Sequence, residues 1–176
     1  MKTSFLFLLL FVMCSELAPK QLTAEEEKLY SLIMEHRKGK GLPPIPLSTS
    51  LTKVAQAHVK DLHFNKPDQN ACNLHSWSSK GEWTSCCYTN DHAKAACMWD
   101  KPKEMTNYTG SGYEIAFGSY GMPATASGAL KGWINSPGHH AVMDNQGAWS
   151  TPWNAIGIGI YEGFAVVWFG RQLDNN

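Results

Sequence analysis

Apolar residues recur at helical spacing soon after the N-terminal segment. In "TAEEEKLYSLIMEHRKGKG" Leu29, Leu32 and Ile33 form one stripe, Thr23 and Glu26 make a capping box, glutamates fill the first turn, and Gly39 and Gly41 end the helix. The prolines of "LPPIPLS" then impose an extended connector. A second helix follows in "STSLTKVAQAHVKDLHF", capped by Ser48 or Ser50, with Leu51, Val54, Ala55, His58 and Leu62 on one face. His58 thus points inward or toward a cleft.

From Asn70 to Tyr108 the periodicity dissolves, and a long loop rather than a regular layer is expected. "GYEIAFGSYG" reads as a short strand or turn. "ATASGALKGWI" reads as a third helix with Leu130, Trp133 and Ile134 toward the core. "SPGHHAVMD" starts a fourth, short helix with Ser136 at the N-cap and Pro137 at its first position. The strongest β pattern is C-terminal: Ile156, Ile158 and Ile160 alternate with glycines, Glu162-Gly163 can turn, and Phe164 to Phe169 is almost continuously apolar. The glycines leave room for a helix or loop to approach closely. Helices first and an antiparallel hairpin last, without βαβ alternation, predict an α+β domain.

The chain has 176 residues, enough for one domain with its own core, and a formal net charge of zero. No basic run favours nucleic acid as a partner. The opening "MKTSFLFLLLFVMCSELAPK" has an early lysine, a short apolar run and then small and polar residues, as a secretory signal does. Residues 1–18 are assigned to it and 19–176 to the domain, with cleavage after Cys14 or Ala18. A lipid-anchored envelope protein acylated at Cys14 is the alternative. No later apolar stretch is long enough to span a bilayer.

Export leaves Cys72, Cys86, Cys87 and Cys97, an even number that implies two disulfides. A bridge between adjacent Cys86 and Cys87 is strained, so each is expected to pair with Cys72 or Cys97, in either combination. Either pairing staples the loop near His75. A zinc site built on these thiolates competes less well in an exported chain. Seven tryptophans point to an aromatic core or groove; Trp77, Trp83 and Trp99 are expected to fix the stapled loop. Asn107 opens an Asn-Tyr-Thr glycosylation acceptor if the host is eukaryotic.

"HSW" at His75–Trp77, "GYEIA" at Gly112–Ala116 and "WINSPGH" at Trp133–His139, with the earlier "LTKVAQAHVKDL" and the later "WNAIGIGIY", resemble the CAP superfamily of cysteine-rich secretory, venom antigen and plant pathogenesis-related proteins. The likeness covers about residues 25 to 170, and the "W-x-x-S-P-G-H" form is most similar to the compact bacterial-type branch. It implies a three-layer α-β-α sandwich with a shallow cleft lined by histidines and acidic residues. His75 and His139 match the two histidines. Tyr113 occupies the expected acidic position, Glu114 stands where the family has asparagine, and Ser136 holds the fourth position. Because successive residues of a strand face opposite ways, Glu114 is expected to need a bulge to reach the cleft.

His75, His139 and Glu114 together are a sufficient first shell for zinc or another divalent metal with an open water position. A histidine on the first turn of a helix sits in a positive backbone potential that keeps it neutral and able to ligate. His58 is expected as a satisfied inward histidine at the cleft, His140 as solvated, and His63 and His92 as bystanders. Ser76 and Ser136 have no nucleophile elbow or aspartate partner, which argues against a serine hydrolase. The resemblance implies a secreted, monomeric, non-catalytic module binding a metal ion and a small lipid- or sterol-like ligand or an extracellular partner. A zinc hydrolase with Glu114 as base and a purely structural scaffold are the alternatives.

Overall fold

The computed structural model describes residues 22–175, so the expected leader and Cys14 lie outside the described residues. Helix α1 (Ala24–Gly39) starts at the capping box: Thr23 Oγ1 accepts from Glu26 N–H, and the Glu26 carboxylate accepts from Thr23 N–H. Glu26 is buried and also accepts from the Gln56 side chain and the Ile160 amide, so this cap joins α1 to α2 (Thr49–Asn65) and the sheet. Ser48 is the N-cap of α2, accepting from the Leu51 amide at 2.9 Å. The proline-rich connector runs beside a strand edge, exchanging backbone hydrogen bonds from Ser48 and Pro46 with Ile156.

The stapled segment is more ordered than the loop expected from sequence. It contains short helices α3 (Ala95–Trp99) and α4 (Lys101–Met105) and a β-bridge between Trp77 and Cys86. Local turns and the bridge satisfy its backbone without any amphipathic repeat, which is why periodicity missed them. The disulfides are Cys72–Cys87 and Cys86–Cys97, which chooses between the two pairings left open. Asn107 is exposed.

Strand β1 (Gly112–Gly118) is followed by α5 (Ala126–Ile134), α6 (Pro137–Met143), a 3-10 turn (Gly147–Trp149), and the hairpin strands β2 (Ala155–Tyr161) and β3 (Phe164–Gly170). The strands form an antiparallel sheet in the order β1-β3-β2, with β1 on an edge. One face packs Ile115, Ile156, Ile158, Val167 and Phe169 against α1, α5 and α6. The other packs Ala116, Val166 and Trp168 against α2 and the stapled segment. The result is the α+β, three-layer α-β-α sandwich. On α5 the core face is Ala126, Ala129 and Trp133, while Leu130 and Ile134 are only half-buried.

The alternating glycines of β2 have a direct cause. A Cβ on Gly157 would lie 2.1 Å from the Leu51 carbonyl carbon, and one on Gly159 would lie 2.4 Å from the Ala55 carbonyl oxygen. Helix α2 therefore rests backbone on backbone against the sheet, a packing that only glycine permits. Gly157→Ala must push two backbones apart and is expected to destabilise the protein by about 1–3 kcal/mol, read as a lower urea midpoint with unchanged slope.

Candidate functional site

The site grows from one face of β1. Its register with β3 is unbroken from Gly112↔Gly170 to Gly118↔Phe164, so no bulge intervenes. Alternation turns Tyr113 and Ile115 toward the α1/α6 layer and Glu114 toward α2 and the stapled segment. There the Glu114 carboxylate is fully enclosed and both of its oxygens are engaged. Oε2 accepts from His58 Nδ1 at 2.5 Å and Oε1 accepts from His75 Nδ1 at 2.7 Å.

His58 has a carbonyl on its other side: Nε2 donates to Ser76 O at 2.9 Å. Both ring nitrogens of His58 thus face oxygens, and with Glu114 ionised both must carry hydrogen, the imidazolium form. Its ring stacks flat on Trp77, with centroids 4.2 Å apart and planes within 7°, so the charge lies against an aromatic face. Burial opposes this charge, but the Glu114 carboxylate, with help from the Ser76 carbonyl, outweighs it and raises the His58 pKa above the usual histidine value. Burial likewise works against Glu114 ionisation, and the His58 charge and the two imidazole hydrogen bonds hold its pKa below the ordinary carboxylate range.

A cavity of about 460 Å³ opens around the β1 edge. Tyr113, Glu114 and Ile115 form its floor, and His75, Tyr88 and His92 one rim. Ala95, Met98 and Trp99 of α3 line a wall, and Ser136, Gly138, His139 and Val142 face them, with Trp149 beside. His75, His139, Tyr113 and Ser136 therefore share this cleft; His58 lies behind it, fully buried, as the support for Glu114. Trp99 is the tryptophan of the stapled segment that faces the cavity, since Trp77 is buried against His58 and Trp83 packs edge-on to Trp77. His63 packs against Phe64 and Tyr161 at another surface.

Ser136 occupies the N-cap position of α6, yet its hydroxyl makes no capping bond and its side chain lines the cavity instead. Burial and then the nearby His75 hold the His139 pKa below the usual value, so His139 is a neutral imidazole at neutral pH. His92, expected as a bystander, lines the rim, its Nδ1 3.0 Å from the Oη of Tyr88, and the sequence reading missed Tyr88, Met98, Val142 and Trp149. The loop residues among these carry no periodic signal. His92 adopts a left-handed backbone (φ 58°).

As a metal site the cleft fits two imidazoles. Glu114 binds His75 through Nδ1, which leaves Nε2 as the ring nitrogen for another partner, an arrangement that orients metal-binding histidines. Both Glu114 oxygens already accept from imidazoles. His75, His139 and Glu114 do not gather three donor atoms within 4.8 Å of one another. Ser76 offers no nucleophile: it is fully buried and its hydroxyl accepts from the Tyr88 amide at 2.9 Å.

Two outcomes follow from the buried pair. Glu114→Gln strands an imidazolium without its counter-charge and is expected to cost about 3–5 kcal/mol in urea unfolding. The pair also dictates opposite pH limbs. Stabilisation by His58 is complete below its unfolded pKa of about 6.5 and fades as pH rises through the higher folded value. Stabilisation by Glu114 is complete above its unfolded pKa of about 4.3 and fades as pH falls through the lower folded value. Melting temperature should therefore be greatest between these limbs, and His58→Gln should flatten the alkaline decline.

Comparison with known proteins agrees with this architecture. The family model described as the Cysteine-rich secretory protein family, CAP, matches residues 30–163. No curated protein sequence matches significantly. Among solved structures, an outer surface protein of Borrelia burgdorferi superposes with a TM-score of 0.58 at 21% identity, covering 86% of this chain and 96% of that one. An extracellular SCP-domain protein of Bacillus anthracis gives 0.57 at 18% identity, covering 87% of this chain and 45% of that one. A cysteine-rich secretory protein of Staphylococcus aureus gives 0.52 at 17%, covering 84% and 39%. This chain thus spans less than half the length of the latter two, and all three share its fold. The chain belongs to the cysteine-rich secretory protein (CAP) family and has the compact fold of these bacterial proteins.

Proposed function

We propose that the protein is a secreted, non-catalytic binding module whose cleft takes a small amphipathic ligand of lipid or sterol-like character. Met98, Trp99, Ile115, Val142 and Trp149 offer an apolar berth, and His75 and His139 address the ligand's polar end. They do so directly or by sharing a divalent cation such as zinc, which, when bound, supplies an electrophilic anchor for an anionic or carbonyl group. His75 presents its ring under the control of Glu114, and His139 remains neutral beside it.

The observation that carries this reading is the state of Glu114. It is the only acidic side chain lining the cleft among the described residues, and both of its oxygens are occupied by imidazole N–H groups in a fully enclosed setting. A hydrolase needs a base within reach of an attacking water, and the Glu114 side chain is 0% exposed with each oxygen held by an imidazole. Secretion is supported by the leader-like N-terminus and the disulfides. Two of the solved relatives, an extracellular protein and an outer surface protein, point the same way.

Trp99 and Trp149 make the cleft self-reporting. Titration of the purified protein with palmitate and with cholesterol should change tryptophan fluorescence saturably for at least one of them. Ser136→Trp fills the cavity without removing a capping bond and should weaken that binding at least about tenfold at unchanged melting temperature. No saturable binding of either probe, or binding that Ser136→Trp leaves unchanged, contradicts the proposal.

A further inference from the structure

The adjacent histidines of α6 turn to different neighbours. His139 lines the cleft, whereas His140 faces the end of α1, where it meets His36 and Asp144. Asp144 follows α6 as its C-cap, one turn beyond His140, and its side chain is only 1% exposed. His36 stands in the last turn of α1, and its Nε2 donates to Asp144 Oδ1 at 2.8 Å. The other carboxylate oxygen, Oδ2, lies 3.0 Å from His140 Nε2, yet the angles are wrong for a hydrogen bond. Both atoms are buried and have no hydrogen-bond partner.

A buried carboxylate oxygen and a buried imidazole nitrogen at ion-pair distance, with no hydrogen bond made by either, are an arrangement folded proteins avoid unless something joins them. A metal ion joins lone pairs where a hydrogen bond does not. The donor atoms of His36, His140 and Asp144 lie within 4.8 Å of one another, the only such set of three or more among the described residues. Helices α1 and α6 both end here, so the negative ends of two helix dipoles converge on the spot. The nearby Arg37 does not fill the role. Its guanidinium donates to the carbonyls of Pro43 and Met143 and to Asn145 Oδ1, with no hydrogen bond to Asp144.

We propose that His36, His140 and Asp144 bind a divalent transition-metal ion of the zinc class. Two imidazoles and a carboxylate with an open fourth position are a zinc ligand set, and imidazole selects such borderline ions over calcium and magnesium. Binding displaces the proton now shared between His36 and Asp144. The ion clamps α6 onto α1 from behind the cleft, and because α6 also carries His139 and Val142, occupancy stiffens the cleft wall. This site is independent of what the cleft binds.

The test uses purified, chelator-treated protein carrying His75→Ala and His139→Ala, so that any zinc bound does not belong to the cleft. Calorimetric titration with zinc chloride should give one equivalent bound. Adding either His36→Gln or His140→Gln should weaken binding by on the order of 100-fold, with far-UV circular dichroism confirming the fold. Cobalt(II) in the parent double variant should show the intense visible bands of a four-coordinate ion, which reads the site without altering it. Absence of stoichiometric zinc binding in the parent, affinity unchanged by His36→Gln or His140→Gln, or only the weak bands of six-coordinate cobalt overturns the proposal.

Discussion

A buried imidazolium, His58, holds this domain's two halves together. It is stacked on Trp77 and bonded on one side to Glu114 and on the other to the Ser76 carbonyl. With these partners it joins three separate parts of the chain: α2, which carries His58, the edge strand β1 and the stapled segment. A charge pair taken out of water costs several kcal/mol per ion, and it is tolerable only when every donor and acceptor is met. Here the set is complete, because the second oxygen of Glu114 accepts from His75. The same carboxylate that completes the pair also holds His75 at the cleft through its Nδ1. The buried pair and the cleft rim thus share one cluster.

Around that cluster the architecture supplies rigidity from both sides. Helix α2 lies against the glycines of β2 so closely that its His58 cannot retreat from the sheet. Its Asp61 also accepts from the Ser78 amide and hydroxyl, pinning the residues that follow His75–Trp77. The disulfides fasten the far side of the segment: Cys86–Cys97 ties the Trp77–Cys86 bridge to α3, whose Ala95, Met98 and Trp99 form the cleft wall. Cross-links of this size contribute about 2–4 kcal/mol each, mainly by restricting the unfolded chain. A loop of nearly forty residues thus behaves as a wall.

Much of this was legible in the chain. The capping box at Thr23 and Glu26, the inward face of α2 and the Ile–Gly alternation of β2 are local signals, and each maps onto an element with the expected burial. The histidine pair of the cleft was legible through motif resemblance. The role of Glu114 was not, because it depends on which face of an edge strand meets His58, 56 positions earlier. Nor was the second histidine cluster: His140 and Asp144 are neighbours by helical spacing, but His36 and Asp144 are 108 positions apart, and only the docking of α6 on α1 joins them. Short elements in the stapled segment escaped because disulfides and side-chain bonds, rather than an apolar repeat, hold them in place.

The central claim is that His58 is charged although it is wholly buried. Nitrogen-15 NMR of histidine-labelled protein reads this directly, since the ring nitrogens of an imidazolium and of a neutral tautomer resonate far apart. The account predicts that at pH 7.5, where an exposed imidazole is mostly neutral, the His58 signals show both nitrogens protonated. A His58 spectrum at that pH with one protonated and one bare nitrogen would contradict it.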